Sequence, residues 1–258
     1  MQSGRAGRDM EPPGLYKTRM ATRWAEITRA ETLSPSVRAL ELRAVDGAPI
    51  AQLAGQWINL DVAVASQAGV ALRAYSIASA PRASASDRFE IAVTRVHDGE
   101  ASIALHELAV GTQLPFDGPH GFFTREAERD EPALLVGTGT GLCPLRAMLE
   151  EELARTEGPR LALLFGCRTE HDILWREQLE AWAAAQPRFS LHVTLSKPGT
   201  SWTGKTGYVQ THVRELAEAL GKPLVYACGL SPMVADVRRV LKDELGYDRK
   251  RIRSERYD

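Results

Sequence analysis

From about Ala21 to Phe116 the apolar positions come in short alternating or β-branched runs: Arg23 to Thr28, Val37 to Leu42, Trp57 to Val64, Ala71 to Ile77, Phe89 to Val96 and Gln113 to Phe116. Period-two alternation puts one face of each run on a core, and turn residues such as Asp46-Gly47 and Pro81 separate the runs, so each is predicted as a strand. With one predicted helix, Ala101 to Leu108, in the series, this spacing points to an antiparallel barrel. After Gly118-Pro119-His120-Gly121 and a charged stretch, Arg125 to Glu131, the pattern changes. Apolar runs at Ala133 to Val136, Leu161 to Phe165, Leu191 to Leu195 and Leu224 to Cys228 now alternate with amphipathic stretches at Leu142 to Arg155, Ile173 to Ala185, Val209 to Leu220 and Pro232 to Leu245. Such alternation implies parallel strands with crossover helices, an open doubly wound sheet. The expected organisation is a disordered tail over 1–20, an antiparallel β-barrel domain over 21–124 and an α/β doubly wound parallel-sheet domain over 125–258.

Composition narrows the function classes. The 258 residues suffice for two ordinary domains, and 44% hydrophobic with 25% charged side chains excludes a disordered, collagenous or coiled-coil chain. A net charge of -1 argues against nucleic acid or an anionic membrane as the main partner. Leu161 to Phe165, among the longest apolar runs, falls far short of the ~20 residues of a membrane span, and no secretory signal is read at the N-terminus. The three cysteines, Cys143, Cys167 and Cys228, match neither a disulfide framework nor a zinc ribbon, and a cluster held by this chain alone would need a fourth thiolate. The expectation is a reducing cytoplasm and no bound metal.

Four segments carry candidate chemistry. In Arg73-Ala74-Tyr75-Ser76 the guanidinium suits a phosphate, the tyrosine offers a flat face to a ring system and the serine a hydroxyl at its edge. An amphipathic strand with an exposed arginine reads the same way. Gly99 to Ser102 opens a helix, where free N–H groups and the helix dipole favour an anion, or where the residues simply cap it. Gly137-Thr138-Gly139-Thr140-Gly141 is a strand-to-helix turn that lets backbone approach a pyrophosphate, but its spacing departs from G-x-G-x-x-G. Gly166-Cys167-Arg168 also stands where a dinucleotide dehydrogenase has an acid. Cys228-Gly229-Leu230-Ser231-Pro232-Met233 ends a parallel strand where doubly wound sheets bind ligands, although Cys228 alone reads as a small buried hydrophobe. Glu255-Arg256-Tyr257-Asp258 reads alone as a frayed polar end.

In this order, from about Ala21 to the end, the segments resemble the ferredoxin–NADP reductase superfamily. Gly55-Gln56-Trp57 is similar to its Gly-Gln-aromatic turn, Arg73 to Ser76 to its Arg-x-Tyr-Ser flavin motif, Gly118 to Phe123 to its Gly-Pro-x-Gly-x-Phe segment, and Cys228 to Met233 to its Cys-Gly-x-x-x-Met nicotinamide motif. The resemblance implies that Arg73 holds the FAD pyrophosphate, Tyr75 stacks on the isoalloxazine and Ser76 reaches flavin N5, with Ala74 between them. Gly99 and Ser102 would lie at the second phosphate site. It further implies that Gly137, Thr138, Gly139 and Gly141 line the nicotinamide dinucleotide, and that Cys228, with Gly229 and Met233, meets the nicotinamide. Glu255 and Tyr257 match a Glu-x-Tyr terminus whose tyrosine covers the flavin, although Asp258 follows here.

The implied activity is hydride transfer between NAD(P)H and FAD, with single electrons passed to or from a separate ferredoxin, flavodoxin or oxygenase component. A flavin or quinone reductase and an electron-transfer subunit of a larger complex stand as alternatives. NADPH is favoured over NADH, because Arg168, Ser196, Lys197 and Lys205 offer cations and a hydroxyl to a 2′-phosphate. Thr206-Gly207-Tyr208, in place of the family's Lys-x-Tyr, departs from that pattern.

Overall fold

The computed structural model describes residues 22–65, 69–81, 86–125 and 130–257; the expected tail over 1–20 and Asp258 lie outside them. The first sheet contains β1 (Arg23–Ser34), β2 (Val37–Ala44), β3 (Trp57–Ala63), β4 (Val70–Ser76), β5 (Arg88–Thr94) and β6 (Gln113–His120), antiparallel in the order β4-β3-β6-β1-β2-β5. Its two edges meet: Ile77, just past β4, bridges to Ile91 of β5, and the Ala78 N–H donates to the Glu90 carbonyl at 2.7 Å. Alternation sets the inward face, as in β3, where Ile58, Leu60 and Val62 are buried between half-buried neighbours. Each such side chain contributes ~1.5–3 kcal/mol on burial. They join Ile27, Leu40, Leu42, Phe89, Ile91 and Phe116 in one core, which α1 (Glu100–Glu107) covers with Ala101 and Leu105.

β1 runs well past its predicted end at Thr28. A register shift between Ile27 and Arg29 interrupts the alternation there, so the period-two count stops while the strand continues to its hairpin with β2.

The second sheet contains β7 (Ala133–Thr138), β8 (Leu161–Cys167), β9 (Phe189–Leu195), β10 (Lys205–Thr206), β11 (Leu224–Leu230) and β12 (Ile252–Tyr257), parallel in the order β10-β9-β8-β7-β11-β12. α2 (Leu142–Leu153) and α3 (Arg176–Ala185) cover one face, and α4 (Val213–Ala219) and α5 (Ser231–Arg239) the other. From β7 the chain winds outward through β8 to one side and through β11 to the other. The carboxyl ends of β7 and β11 are therefore the switch point, where open α/β sheets bind ligands.

Several boundaries differ from the sequence reading. α3 starts at Arg176 rather than Ile173, because Trp175 adopts a left-handed φ of 48°. The helix predicted over Val209 to Leu220 is a tight turn, Val209–Thr211, followed by α4, and the last helix ends in a π turn, Val240–Glu244. The C-terminal residues, readable alone as a frayed end, form β12, paired with β11 from Val225↔Ile252 to Leu230↔Tyr257. Between the sheets, Arg125 is buried, bonds the Glu131 carbonyl and lies over the Tyr226 ring at 5.7 Å. Among the described residues no helix is long and apolar enough to cross a membrane.

Candidate active site

The register of the parallel sheet sets Gly137, Cys228 and Glu255 side by side on β7, β11 and β12. Close approach at this row depends on missing side chains. A Cβ on Gly141 would lie 2.3 Å from the Cys228 carbonyl oxygen, and one on Gly229, at φ 151°, would lie 2.4 Å from Thr138 Oγ1 and 2.7 Å from Met233 Cε. Gly139, by contrast, takes φ 53° with nothing near its Cβ position, so the turn is closed behind and open in front. The Thr138 hydroxyl is buried at this point with no hydrogen-bond partner. An orphaned hydroxyl costs ~1–3 kcal/mol, which a polar ligand in the open turn would offset.

The barrel meets this row through Ser76, the buried end of β4. Its Oγ donates to Glu255 Oε1 at 3.4 Å and shares a short hydrogen bond with the Tyr257 hydroxyl, which also contacts the Cys228 thiol. Burial pushes the Cys228 thiol and the Tyr257 hydroxyl well up from their ordinary ranges. It raises the Glu255 carboxyl too, opposed by the Ser76 hydrogen bond. Burial thus favours the neutral thiol at Cys228. Four residues from three separate stretches of the chain form one cluster.

The remaining barrel residues lead to that point. Arg73 and Ala74 are exposed on β4, and among the described residues the Arg73 guanidinium donates to the Leu72 carbonyl at 2.9 Å, leaving its fork turned to solvent. Tyr75 is half-buried against the barrel core, and burial pushes its hydroxyl up to about 12, with Arg73 opposing. Ser102 Oγ donates to the Gly99 carbonyl at 2.8 Å and accepts from the Val96 N–H at 3.0 Å. That hydroxyl holds the turn, so the anion-binding potential belongs to the first N–H groups of α1, which have no side-chain cap. The Gly-Gln-aromatic turn and the Gly-Pro-His-Gly end of β6 lock together: Gln56 Nε2 donates to the Gly121 carbonyl at 3.2 Å, and the Trp57 and His120 rings meet at 4.8 Å, tilted by 47°.

At the carboxyl ends of β8 and β9, the Ser196 N–H donates to the Cys167 carbonyl and the Lys197 N–H to the Arg168 carbonyl, at 3.0 and 2.8 Å. This zips together two loops that carry the exposed side chains Arg168 and Lys197. Lys205 is engaged elsewhere, with Glu215 at 2.8 Å. The sequence reading singled out no role for Tyr208, 67% exposed just after Gly207, whose N–H donates to the Leu195 carbonyl. Its available signal was its place in Thr206-Gly207-Tyr208, which aligns its ring with that of the Lys-x-Tyr pattern. Arg146, Glu150 and Glu90 have partners across the interface between the sheets and leave no mark on local pattern.

Two family models match separate parts of the chain. Residues 24–124 match the family model described as oxidoreductase FAD-binding domain, and residues 135–239 the one described as oxidoreductase NAD-binding domain. The chain is 46% identical over 240 residues to ferredoxin–NADP reductase B of Sorangium cellulosum, covering 91% of this chain and 97% of that one. It is 33% identical over 230 residues to the toluate 1,2-dioxygenase electron transfer component of Pseudomonas putida, covering 88% of this chain and 66% of that longer protein. Among solved structures, a ferredoxin NADP+ reductase from Neisseria gonorrhoeae with bound FAD and NADP shares the fold, with a TM-score of 0.77 at 20% identity over 91% of this chain and 98% of that one.

Proposed function

The chain belongs to the ferredoxin–NADP reductase superfamily, and from that premise we propose how its residues divide the work of an FAD-dependent oxidoreductase. The enzyme transfers a hydride between NAD(P)H and FAD and passes electrons to a ferredoxin-like carrier. Residues 21–124 are the FAD-binding unit and residues 125–258 the NAD(P)H-binding unit. Bound FAD supplies the conversion between two-electron and one-electron transfer.

Arg73 holds the flavin pyrophosphate with its exposed fork, assisted by the N–H groups that follow Gly99 at the start of α1. Tyr75 gives the ring system a flat apolar face. Gly137, Thr138, Gly139 and Gly141 receive the nicotinamide dinucleotide, with the orphaned Thr138 hydroxyl as a polar contact. Cys228, Gly229 and Met233 shape the nicotinamide end. Ser76, Glu255 and Tyr257 occupy the junction of the two halves, exclude water there and orient the reacting rings. Arg168, Ser196 and Lys197 take the 2′-phosphate of NADPH, and Tyr208 offers its face to the adjoining ring.

One observation carries the reading: the barrel strand ending in Ser76 and the sheet row of Gly137, Cys228 and Glu255 meet at Glu255 and Tyr257. The partner is a small one-electron carrier, a ferredoxin, flavodoxin or oxygenase component, and the compartment a reducing cytoplasm, in keeping with free Cys143, Cys167 and Cys228.

The test is steady-state turnover of yellow, FAD-loaded protein with NADPH, with and without a ferredoxin or flavodoxin. Turnover that requires the carrier is the expected result. Equal turnover with free flavin or a quinone alone would make the protein a flavin or quinone reductase, and colourless protein that cannot be loaded with FAD would overturn the assignment of the barrel.

A further inference from the structure

The two halves of the site are held together by a grip that none of the nucleotide-contacting residues supplies. α2 starts directly after the glycine turn, and two residues one helical turn apart on it, Arg146 and Glu150, reach across to the barrel. Arg146 Nη1 donates to the Ala78 carbonyl at 2.7 Å, and Glu150 Oε2 accepts from the Ala80 N–H at 2.8 Å. One helix face thus grips a carbonyl and an amide of the same short segment. That segment begins two residues after Ser76, so what it fixes is the end of the flavin strand.

Arg146 is itself held on every side. It is 5% exposed, lies over the Trp175 ring at 4.5 Å, donates from Nε to Gln178 Oε1 at 2.6 Å and stands 3.4 Å from Glu90 Oε1. The Trp175 indole N–H donates to the same Glu90 oxygen at 3.1 Å. Trp175 reaches this position with φ 48°, a left-handed conformation costly for a bulky residue, which persists only where surrounding contacts fix it. Nearby, the Thr94 hydroxyl on β5 donates to Thr140 of the glycine turn at 3.3 Å.

The geometry points to Arg146 and Glu150 as positioning residues for hydride transfer: by gripping residues 78–80 they set Ser76 against the Gly137–Gly141 turn, and so the donor ring against the acceptor ring. This rests on the functional reading above. Neither residue touches the coenzymes in this assignment, so binding should survive their loss while alignment does not. Misplacement of ~1 Å can cost ~100-fold in rate.

The experiment compares FAD-loaded wild type, Glu150→Ala and Glu150→Gln. Glu150 is chosen because, unlike Arg146, it is only half-buried and leaves no buried charge behind. The readouts are FAD content, Tm, coenzyme Kd, stopped-flow flavin reduction and the long-wavelength charge-transfer absorbance of stacked nicotinamide and flavin. Glu150→Ala is expected to keep full FAD content and a Kd within about twofold, while reduction slows ~10-fold and the charge-transfer band weakens. Glu150→Gln should restore both, since its amide oxygen still accepts from Ala80. A wild-type rate and band in Glu150→Ala, or a Gln variant as impaired as the Ala variant, overturns the inference. Wild-type protein that neither coenzyme reduces overturns both this inference and the functional reading beneath it.

Discussion

Glu255 stands 3.4 Å from the Ser76 hydroxyl, half-buried on an edge strand, and burial raises its carboxyl above the ordinary 4.5. The folded chain therefore keeps the proton to higher pH than the unfolded chain, which binds fewer protons in that window. Stability falls as pH rises from the ordinary carboxylate value through the raised one. Glu255→Gln is neutral at every pH, so its urea midpoint should gain on that of the wild type across this window and hold a constant lead above it. A difference independent of pH would mean that Glu255 is solvated in the folded protein. Arg73 makes a different kind of contribution. In the proposed assignment its exposed fork makes a charge-assisted contact worth ~1.5–3 kcal/mol, so Arg73→Ala should bind FAD about 10- to 100-fold more weakly, and lose it first in a high-salt wash. Flavin content unchanged through that wash would remove Arg73 from the phosphate site.

At the scale of elements, the strand-to-helix turn contains glycines that serve opposite ends. Gly141 permits contact, since an added Cβ would strike the Cys228 backbone at 2.3 Å, whereas Gly139 permits only a dihedral, with open space where the Cβ would go. Gly141→Ala must push β11 and the turn apart, and should cost ~3 kcal/mol or more and weaken coenzyme binding with it. Gly139→Ala should cost only the ~1–2 kcal/mol of a left-handed residue. Urea titration with a parallel coenzyme Kd separates the two; equal losses would show that the turn responds as a unit. The same logic explains α3. Its first turn is delayed to Arg176 because Trp175 is recruited by Glu90 and Arg146, an interaction that outweighs local helix propensity.

At the scale of the whole molecule, the proposed assignment makes coenzyme choice depend on which cations are free to meet a phosphate. Lys197 is exposed beside Arg168 on zipped loops, while Lys205 is neutralised by Glu215. Lys197→Ala should therefore reduce the NADPH-to-NADH ratio of kcat/KM by ~10-fold, the size of one charge-assisted contact, and Lys205→Ala should leave it within about twofold. A wild-type preference for NADH, or a larger effect at Lys205 than at Lys197, would relocate the specificity surface. The basic residues of this region thus differ in role through their partners, not their charge.

Periodicity, with the order of the elements, determined the two layer types. Alternating runs such as Ile58, Leu60 and Val62 require a sheet with one wet face, and continuous runs such as Leu161 to Phe165 require a sheet covered on both. The strand ending at Ser76 and the strand-to-helix glycine turn were likewise legible, because alternation marks the strand and close backbone approach demands glycine. β12 was not. Its alternation of charged and polar residues reads as solvated chain, and only the open edge of β11 makes it a strand. Nor could sequence show that Ser102 closes its own turn, that Lys205 is occupied, or that Cys228 lies sealed under Tyr257. The meeting of Ser76 with Glu255 and Tyr257 was equally hidden, as was the grip of Arg146 and Glu150 on the barrel. Burial, pairing and alignment are properties of distance between chain-remote groups, and a local pattern carries the chemistry of a residue but not its neighbours.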